Sequence, residues 1–382
     1  MKILHLCLAC FYIDGYNYQE NVLPRLNRED GHDVRILAST ETYVDNTRYG
    51  YLEPSEYVTE YGVPIKRLPY VKVGTDFVSR KVRKYPHLYE EIGAFGPDVI
   101  LCHDIAFWSV LDVIRYKKDH PEVKLYADTH TAGYNSGTNW MSLHILHRLL
   151  YRGLIQKAVP YLEKYFYIGE GERKFSVEHY GVPEALMEYY PLGGSIFPGD
   201  VYAQKRARRR AELGVGEGEL LLVHSGKLDA LKRTEELLRA FAAVPDLKAK
   251  LAVIGSIPED MKATLEPLME ADKRVEYLGW KSGGELQEYL CACDLYCQPG
   301  SVSATLQNAV CCGSPVMAYP HEGYTKDLDY GNLLWVKTEE DMAEAFRALR
   351  ENRIDLSALR AGSVRCAAEV LDYRALAARL YR

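Results

Sequence analysis

Lys227 and Lys232 lie in HSGKLDALKRTEELL (224–238), where the apolar run LLLV passes through Ser-Gly into a helical pattern. Cations beside a helix start oppose the helix dipole, which favours anions there. A bound anion would resolve that mismatch. A phosphate about 4 Å from a lysine gains on the order of 4 kcal/mol of Coulomb attraction near a surface, before desolvation is subtracted. Two solvated lysines are the plainer alternative. A second stretch, QPGSVSATLQNAVCCGSPV (298–316), holds no charged residue and no His. Ser301, Ser303 and Thr305 are helix-capping types ahead of an apolar helix, and a helix starting at a strand end offers free N–H groups to an oxyanion. Such a loop needs cations from elsewhere, and Lys227 and Lys232 are candidates. A third stretch, YADTHTAGYNSGTNWMS (126–142), puts Asp128 and His130 at a strand end, followed by Asn135 and Ser136. Alone, His130 reads as a satisfied structural histidine. In this polar company it reads as a substrate contact. The fourth, ACFYIDGYNYQEN (9–21), has the single glycine Gly15 and no G-x-G-x-x-G, so a dinucleotide cofactor is not expected. Gly15 permits a turn, or lets backbone amides approach a phosphate.

Elements of an α/β protein must position these loops. KILHLCLAC (2–10), DVRILAS (33–39), PDVILCHD (97–104), VKLYADTH (123–130) and EKYFYIGEGE (163–172) read as buried strands alternating with helices. After the Pro- and Gly-rich stretch YYPLGGSIFPGD (189–200) the rhythm resumes with LLLVHSGKLD, AKLAVIGS, RVEYLGW, DLYCQPG and SPVMAYP. Apolar strands alternating with helices imply parallel sheets covered on both faces. Ligands of such sheets are expected at the carboxyl ends of the strands. Two Rossmann-like domains facing across a cleft are therefore expected.

The 382 residues exceed one ordinary core, in keeping with two domains. A net charge of −6 argues against broad nucleic-acid binding. No stretch of about 18 apolar residues occurs, and the first residues alternate like a strand rather than a signal peptide, so a cytoplasmic protein is expected. The basic run KRARRR (205–210) reads as a solvated helix face, with an anionic membrane surface as the alternative. Of nine cysteines, Cys291, Cys293, Cys297, Cys311 and Cys312 cluster, but their spacing is not that of a zinc site. They read as buried small residues.

The ordered set of motifs resembles a GT-B glycosyltransferase of the retaining family 4 (group 1). GHDVRILAS is similar to that family's early helix–strand junction, HSGKLDALKRTEELLRAF to its phosphate-binding segment, and YYPLGGSIF to its interdomain linker. HEGYTKDLDYGNLLWVKTEEDMAEAF (321–346) is similar to its closing segment, and LDYRALAARL to the final helix that packs back on the first domain. The resemblance implies an acceptor domain (1–195), a nucleotide-sugar donor domain (196–360) and a crossing helix (361–382). It implies that Lys227 and Lys232 neutralise a donor diphosphate, with Gly226 and the amides of Ser303, Ala304 and Thr305 beside it. Gly15 would allow close approach, and His130 would face the donor sugar as a catalytic group. Asp128, Asn135 and Ser136 would meet the acceptor. No metal or other cofactor is implied, since lysines and helix ends would stabilise the leaving group. The partners implied are a UDP- or GDP-sugar and a glycan or lipid-linked acceptor, in bacterial surface polysaccharide synthesis.

The family's usual pair of glutamates falls on Gly300 and Asn308 in this chain. Asn308 can still hydrogen-bond a ribose hydroxyl, while Gly300 offers no side chain. Sugar recognition would pass to Ser301, Ser303, Gln307 or Glu322. The altered pair also raises two alternatives, a non-catalytic scaffold partnering an active enzyme, or a nucleotide-sugar epimerase using Asp104, Asp128, His103 and His130 as acid and base.

Overall fold

The computed structural model describes residues 1–43, 49–133, 135–301, 303–320 and 328–382; Glu322 lies outside them. The chain forms two compact units, Met1–Pro191 with Tyr373–Arg382, and Leu192–Asp372. The sequence places the start of the returning helix at 361, but residues 361–372 stay with the second unit. The helix Leu356–Cys366 is anchored there. Ser363 donates to the Ser314 carbonyl at 2.8 Å, and Gly362 packs so closely that a Cβ would lie 2.6 Å from the Tyr330 oxygen.

The first unit contains β1 (Lys2–Cys7), β2 (Asp33–Ser39), β3 (Glu41–Tyr43), β4 (Tyr49–Tyr51), β5 (Ser55–Val58), β6 (Pro64–Leu68), β7 (Val99–Cys102), β8 (Lys124–Thr129), β9 (Lys164–Tyr167) and β10 (Met187–Tyr189). Its main sheet runs β10-β9-β8-β7-β1-β2-β6-β5. All pairs are parallel except β5 with β6. The central strands are apolar and buried because helices cover both faces. The returning helix Tyr373–Ala378 packs on α1 (Gln19–Glu29), where Arg374 pairs with Glu29 at 2.8 Å. Leu376 accepts from the Tyr190 hydroxyl at 2.8 Å.

The second unit contains β11 (Leu220–Lys227), β12 (Ala249–Ser256), β13 (Val275–Gly279), β14 (Leu295–Gln298), β15 (Val316–Ala318) and β16 (Leu333–Trp335). The order β13-β12-β11-β14-β15-β16 is parallel throughout. β11 and β14 are neighbours, so their carboxyl-terminal loops are brought together. The five clustered cysteines are buried among apolar neighbours of this unit, and burial pushes the Cys293 thiol up to about 12. Among the described residues, no three His, Cys, Asp or Glu side chains form a metal-holding group.

The basic run is more than a solvated face. It lies in the helix Gly199–Glu212. Arg209 pairs with Glu288 and Arg210 with Asp294, each at 2.8 Å. Arg206 caps the helix Gly283–Ala292 through the Ala292 carbonyl, also at 2.8 Å or less. Cations at a helix carboxyl end complement its dipole.

Candidate functional site

In the second unit, β11 ends at Lys227 and the chain turns through Ala230–Lys232 before the helix Thr234–Ala242 begins. Arg233 intervenes in the left-handed region with φ 57°. Lys227 is exposed. Lys232 is only 7% exposed, and its Nζ donates to the Ser301 carbonyl at 3.2 Å. Among the described residues no carboxylate pairs with it. Burial lowers its pKa, with Asp229 acting in the opposite direction. A desolvated ammonium facing only a carbonyl is poorly compensated, and a nearby negative charge would stabilise it. Gly226 makes room for it, since a Cβ there would lie 2.9 Å from Lys232 Cε.

Gly300 and Ser301 are seated on that turn. Ser301 N–H donates to the Leu231 carbonyl at 2.8 Å. Gln298, fully buried at the end of β14, donates to the Ser301 carbonyl at 3.1 Å and accepts from the Ser303 hydroxyl at 3.0 Å. Gly300 is a contact point: a Cβ would lie 2.1 Å from the Leu231 oxygen and 2.6 Å from the Lys232 carbonyl carbon. No side chain fits at position 300, so the absent carboxylate there has a steric cause. The helix that follows is Thr305–Cys311, capped by Ala304 with no side-chain cap, so Ser301, Ser303 and Thr305 do not cap it. Asn308 donates to the Ala304 carbonyl of its own helix at 3.1 Å. Gln307 is 7% exposed, and among the described residues its Oε1 has no hydrogen-bond partner.

His224, buried on β11, holds this corner together. It bonds the Cys297 carbonyl through Nδ1 and the Thr234 hydroxyl through Nε2, both at 2.8 Å. Burial lowers its pKa to about 4, so it is a neutral strut whose Nδ1 donates.

The first unit holds a cavity of about 460 Å³ at the carboxyl ends of β1, β7 and β8. Its walls include Tyr16, Tyr18, Glu20, Asp104, His130 and Asn135. Gly15 has φ 75°, with nothing among the described residues within 4 Å of a Cβ, so backbone conformation is what requires glycine there. The first loop is held from below by Arg67, whose side chain is fully buried; it bonds Asp14 at 2.7 Å and the Tyr12 carbonyl at 3.2 Å.

Asp128 is fully buried and does not line the cavity, so the acceptor contact expected of it is not available. It organises the histidines instead. His103 Nδ1 donates to its Oδ2 at 2.8 Å, Asp104 N–H donates to Oδ1 at 2.8 Å, and His130 Nε2 stands 3.6 Å from Oδ1. Asn135 lines the cavity but is engaged with the His130 carbonyl at 2.8 Å and the Ala132 N–H at 2.9 Å. Ser136 turns to His147, 3.3 Å away.

Burial lowers the histidine pKa values, but Asp128 outweighs it, and both His103 and His130 are raised to about 9. Burial likewise opposes ionisation of Asp128, and the two histidines outweigh it, holding the carboxyl well below its ordinary range. His5 is lowered to about 3 by burial and by His103. These states give the chain a direction. His103 donates to His5 at 3.0 Å, His5 to Asn27 at 2.9 Å, and Asn27 to the Ala377 carbonyl of the returning helix at 3.4 Å. The carboxylate–histidine line therefore ends on the segment that returns from the second unit.

His130 is a cation at neutral pH, suited to stabilising negative charge and unsuited to taking a proton. A raised histidine pKa stabilises the fold fully below about 6.5, and that stability is lost as pH rises through about 9. Activity is expected to fall on the alkaline side through about pH 9. Asp128→Asn should move that limb toward the ordinary histidine value, measured as kcat/KM against pH.

Known proteins resemble the chain in one segment and in its fold. Residues 205–363 match the model of the glycosyl transferases group 1 family. That segment is similar to a group 1 glycosyltransferase domain. The match spans both the Lys227–Lys232 turn and the 299–304 loop. D-inositol 3-phosphate glycosyltransferase of Pseudarthrobacter chlorophenolicus is 27% identical over 205 residues, 50% of this chain and 48% of that protein. The Mycobacterium sp. (strain KMS) protein of the same name is 31% identical over 128 residues, 32% of this chain and 28% of its own. The chain thus spans about half the length, or less, of the curated relatives it matches. Among solved structures, Anabaena HepE in complex with UDP and glucose aligns with TM-score 0.64 at 16% identity, covering 99% of this chain and 98% of its own. A glycosyltransferase from Rickettsia africae aligns with TM-score 0.67 at 10% identity, covering 99% and 96%. The fold is that of GT-B glycosyltransferases, with two Rossmann-like parallel-sheet domains.

Five residues that build these sites had not stood out in the sequence: His5, Glu20, His224, Arg233 and Gln298. Arg233 donates to the Lys337 carbonyl at 3.0 Å and pins the lysine turn. A signal was present for three of them. His5, His224 and Gln298 are polar residues inside apolar strand runs, where burial demands a partner.

Proposed function

We propose that this chain transfers a sugar from a nucleoside-diphosphate sugar, UDP- or GDP-linked, to a glycan or lipid-linked acceptor in bacterial surface polysaccharide synthesis. The observation that carries the proposal is the group 1 match over the segment where Lys232 is buried without a carboxylate partner. The diphosphate is assigned to Lys227, Lys232 and the Gly226 turn, with Ser303, Ala304 and Thr305 beside it. The structural neighbour HepE binds UDP and UDP-glucose. His130 is assigned to negative charge on the reacting sugar, and the acceptor to the first-unit cavity. Lysines and backbone amides supply the leaving group's compensating charge, so the reaction is proposed to need no divalent metal. Departure and attack on one face of the sugar would retain its configuration. The test is isothermal titration with UDP and GDP in EDTA, followed by a donor screen that reads hydrolysis and the anomer formed. An epimerase would use Asp128 as a base, and its burial between two histidinium groups disfavours that role.

No helix among the described residues is long and apolar enough to cross a membrane. A peripheral contact belongs to the same proposal, and the ion-paired KRARRR helix is a poor candidate for it. The better face is on the first unit, where Trp140, Met141, Ile145 and Leu149 are 68%, 66%, 48% and 72% exposed. Arg148, Arg152 and Lys157 follow, and no acidic residue occurs between Asp128 and Glu163. Exposed aromatic and aliphatic side chains with flanking cations suit an anionic lipid surface. Sedimentation with phosphatidylglycerol vesicles is expected to carry the protein down. Trp140→Ser with Leu149→Ser should abolish that, while phosphatidylcholine vesicles should not bind.

A further inference from the structure

Glu20 is a wall residue of the first-unit cavity to which no chemical task has been assigned. It stands in the first turn of α1, is 8% exposed and lines the first-unit cavity beside His130. Among the described residues no side chain hydrogen-bonds or ion-pairs with its carboxylate, which meets only its own backbone N–H. The other acidic wall residue, Asp104, is already satisfied, by Ile105 N–H at 2.7 Å, Ala106 N–H at 3.1 Å and the Thr131 hydroxyl at 2.9 Å. The turn around Glu20 is polar and underemployed as well. Among the described residues Gln19, 1% exposed, has neither side-chain amide atom bonded, and Asn21 Oδ1 lacks a partner. Pro24 lies inside α1 and has no N–H to give the Glu20 carbonyl its helical bond. Buried polar groups left this way are costly unless something supplies their partners.

We propose that Glu20 is a hydroxyl-reading carboxylate that selects a neutral sugar or polyol in this cavity. An ionised carboxylate accepts through two oxygens, which suits adjacent hydroxyls. Phe11, Tyr16, Tyr18 and Tyr43 line the same cavity and offer aromatic surface to the C–H face of a sugar ring. Among the described wall residues His130 is the one cation, against two carboxylates. A phosphorylated ligand would meet repulsion from Glu20, so the cavity is built for the uncharged form. Burial raises the Glu20 pKa, opposed by His130 and His103. A raised carboxyl pKa means that ionised Glu20 costs the empty fold stability above the ordinary carboxyl range, a cost that ligand hydroxyls offset.

The inference rests on the proposed glycosyltransferase only in taking a sugar as the ligand. Its test uses the full chain and saturation-transfer NMR with methyl α-D-glucopyranoside, methyl α-D-mannopyranoside, myo-inositol and inositol 3-phosphate, with UDP measured separately. At least one neutral probe should bind, and inositol 3-phosphate should bind more weakly than myo-inositol. Glu20→Gln should weaken the neutral probe at least tenfold, leave UDP affinity unchanged, and raise the ligand-free melting temperature more at pH 8 than at pH 5. Equal neutral-probe binding by Glu20→Gln would overturn the proposal. So would tighter binding of the phosphate, a lowered melting temperature at pH 8, or UDP binding with no neutral probe bound. Loss of UDP binding alone would count against the proposed function, while Glu20-dependent sugar binding would still stand.

Discussion

Lys232→Met is expected to weaken UDP or GDP binding about 10- to 100-fold. The estimate follows from losing one charge-assisted hydrogen bond worth about 1.5–3 kcal/mol, at about 1.4 kcal/mol per tenfold. The fold should not suffer. Lys232 is desolvated, and among the described residues its ammonium donates to the Ser301 carbonyl. Methionine keeps the stem that lies across Gly226 and removes an ammonium whose burial is unfavourable. Unchanged or higher melting temperature with weaker nucleotide binding would separate a ligand site from a structural lysine. Lys227→Met should have a smaller effect, because that side chain is exposed and water already solvates it.

Gly300→Glu should fail as a repair. It would restore the carboxylate that the family resemblance puts at this position, yet its Cβ would sit 2.1 Å from the Leu231 oxygen. Backbone on both sides cannot yield as a flexible side chain would, so a cost of about 3 kcal/mol or more is expected. For a domain of this size that lowers the melting temperature by about 6–12 °C. The contact also carries the Ser301–Leu231 bond of 2.8 Å, which seats the loop on the lysine turn. Nucleotide binding should fall with stability. Gly300→Ala should show the same loss of stability, which differential scanning calorimetry would detect. A Gly300→Glu protein with unchanged melting temperature and stronger donor binding would mean that the loop is not seated on Leu231–Lys232.

Much of the architecture was legible in the sequence because parallel strands buried on both faces leave long apolar runs. DVRILAS and AKLAVIGS occupy the strands β2 and β12 in full. The short segments β3 to β6 and β10 gave no such signal. SEYV is mostly exposed, and MEY is half-buried. The lysine turn was visible because two cations at a helix start are electrostatically unusual. The meaning of Gly300 was not visible, since only the close approach of Leu231–Lys232 excludes a side chain there. Asp128 and His130 stood out as a polar pair at a strand end. Their division of labour depends on His103, brought alongside by the β7–β8 pairing. Glu20 went unseen because a carboxylate in a helix's first turn is ordinary. Its burial beside His130 is what sets it apart.

Isothermal titration of the intact chain with UDP and GDP, in EDTA, tests the proposed transferase most directly. Saturable binding of at least one nucleotide is expected, weakened about 10- to 100-fold by Lys232→Met at unchanged melting temperature. Absence of binding by both nucleotides, in protein shown by its cooperative melting to be folded, would contradict it.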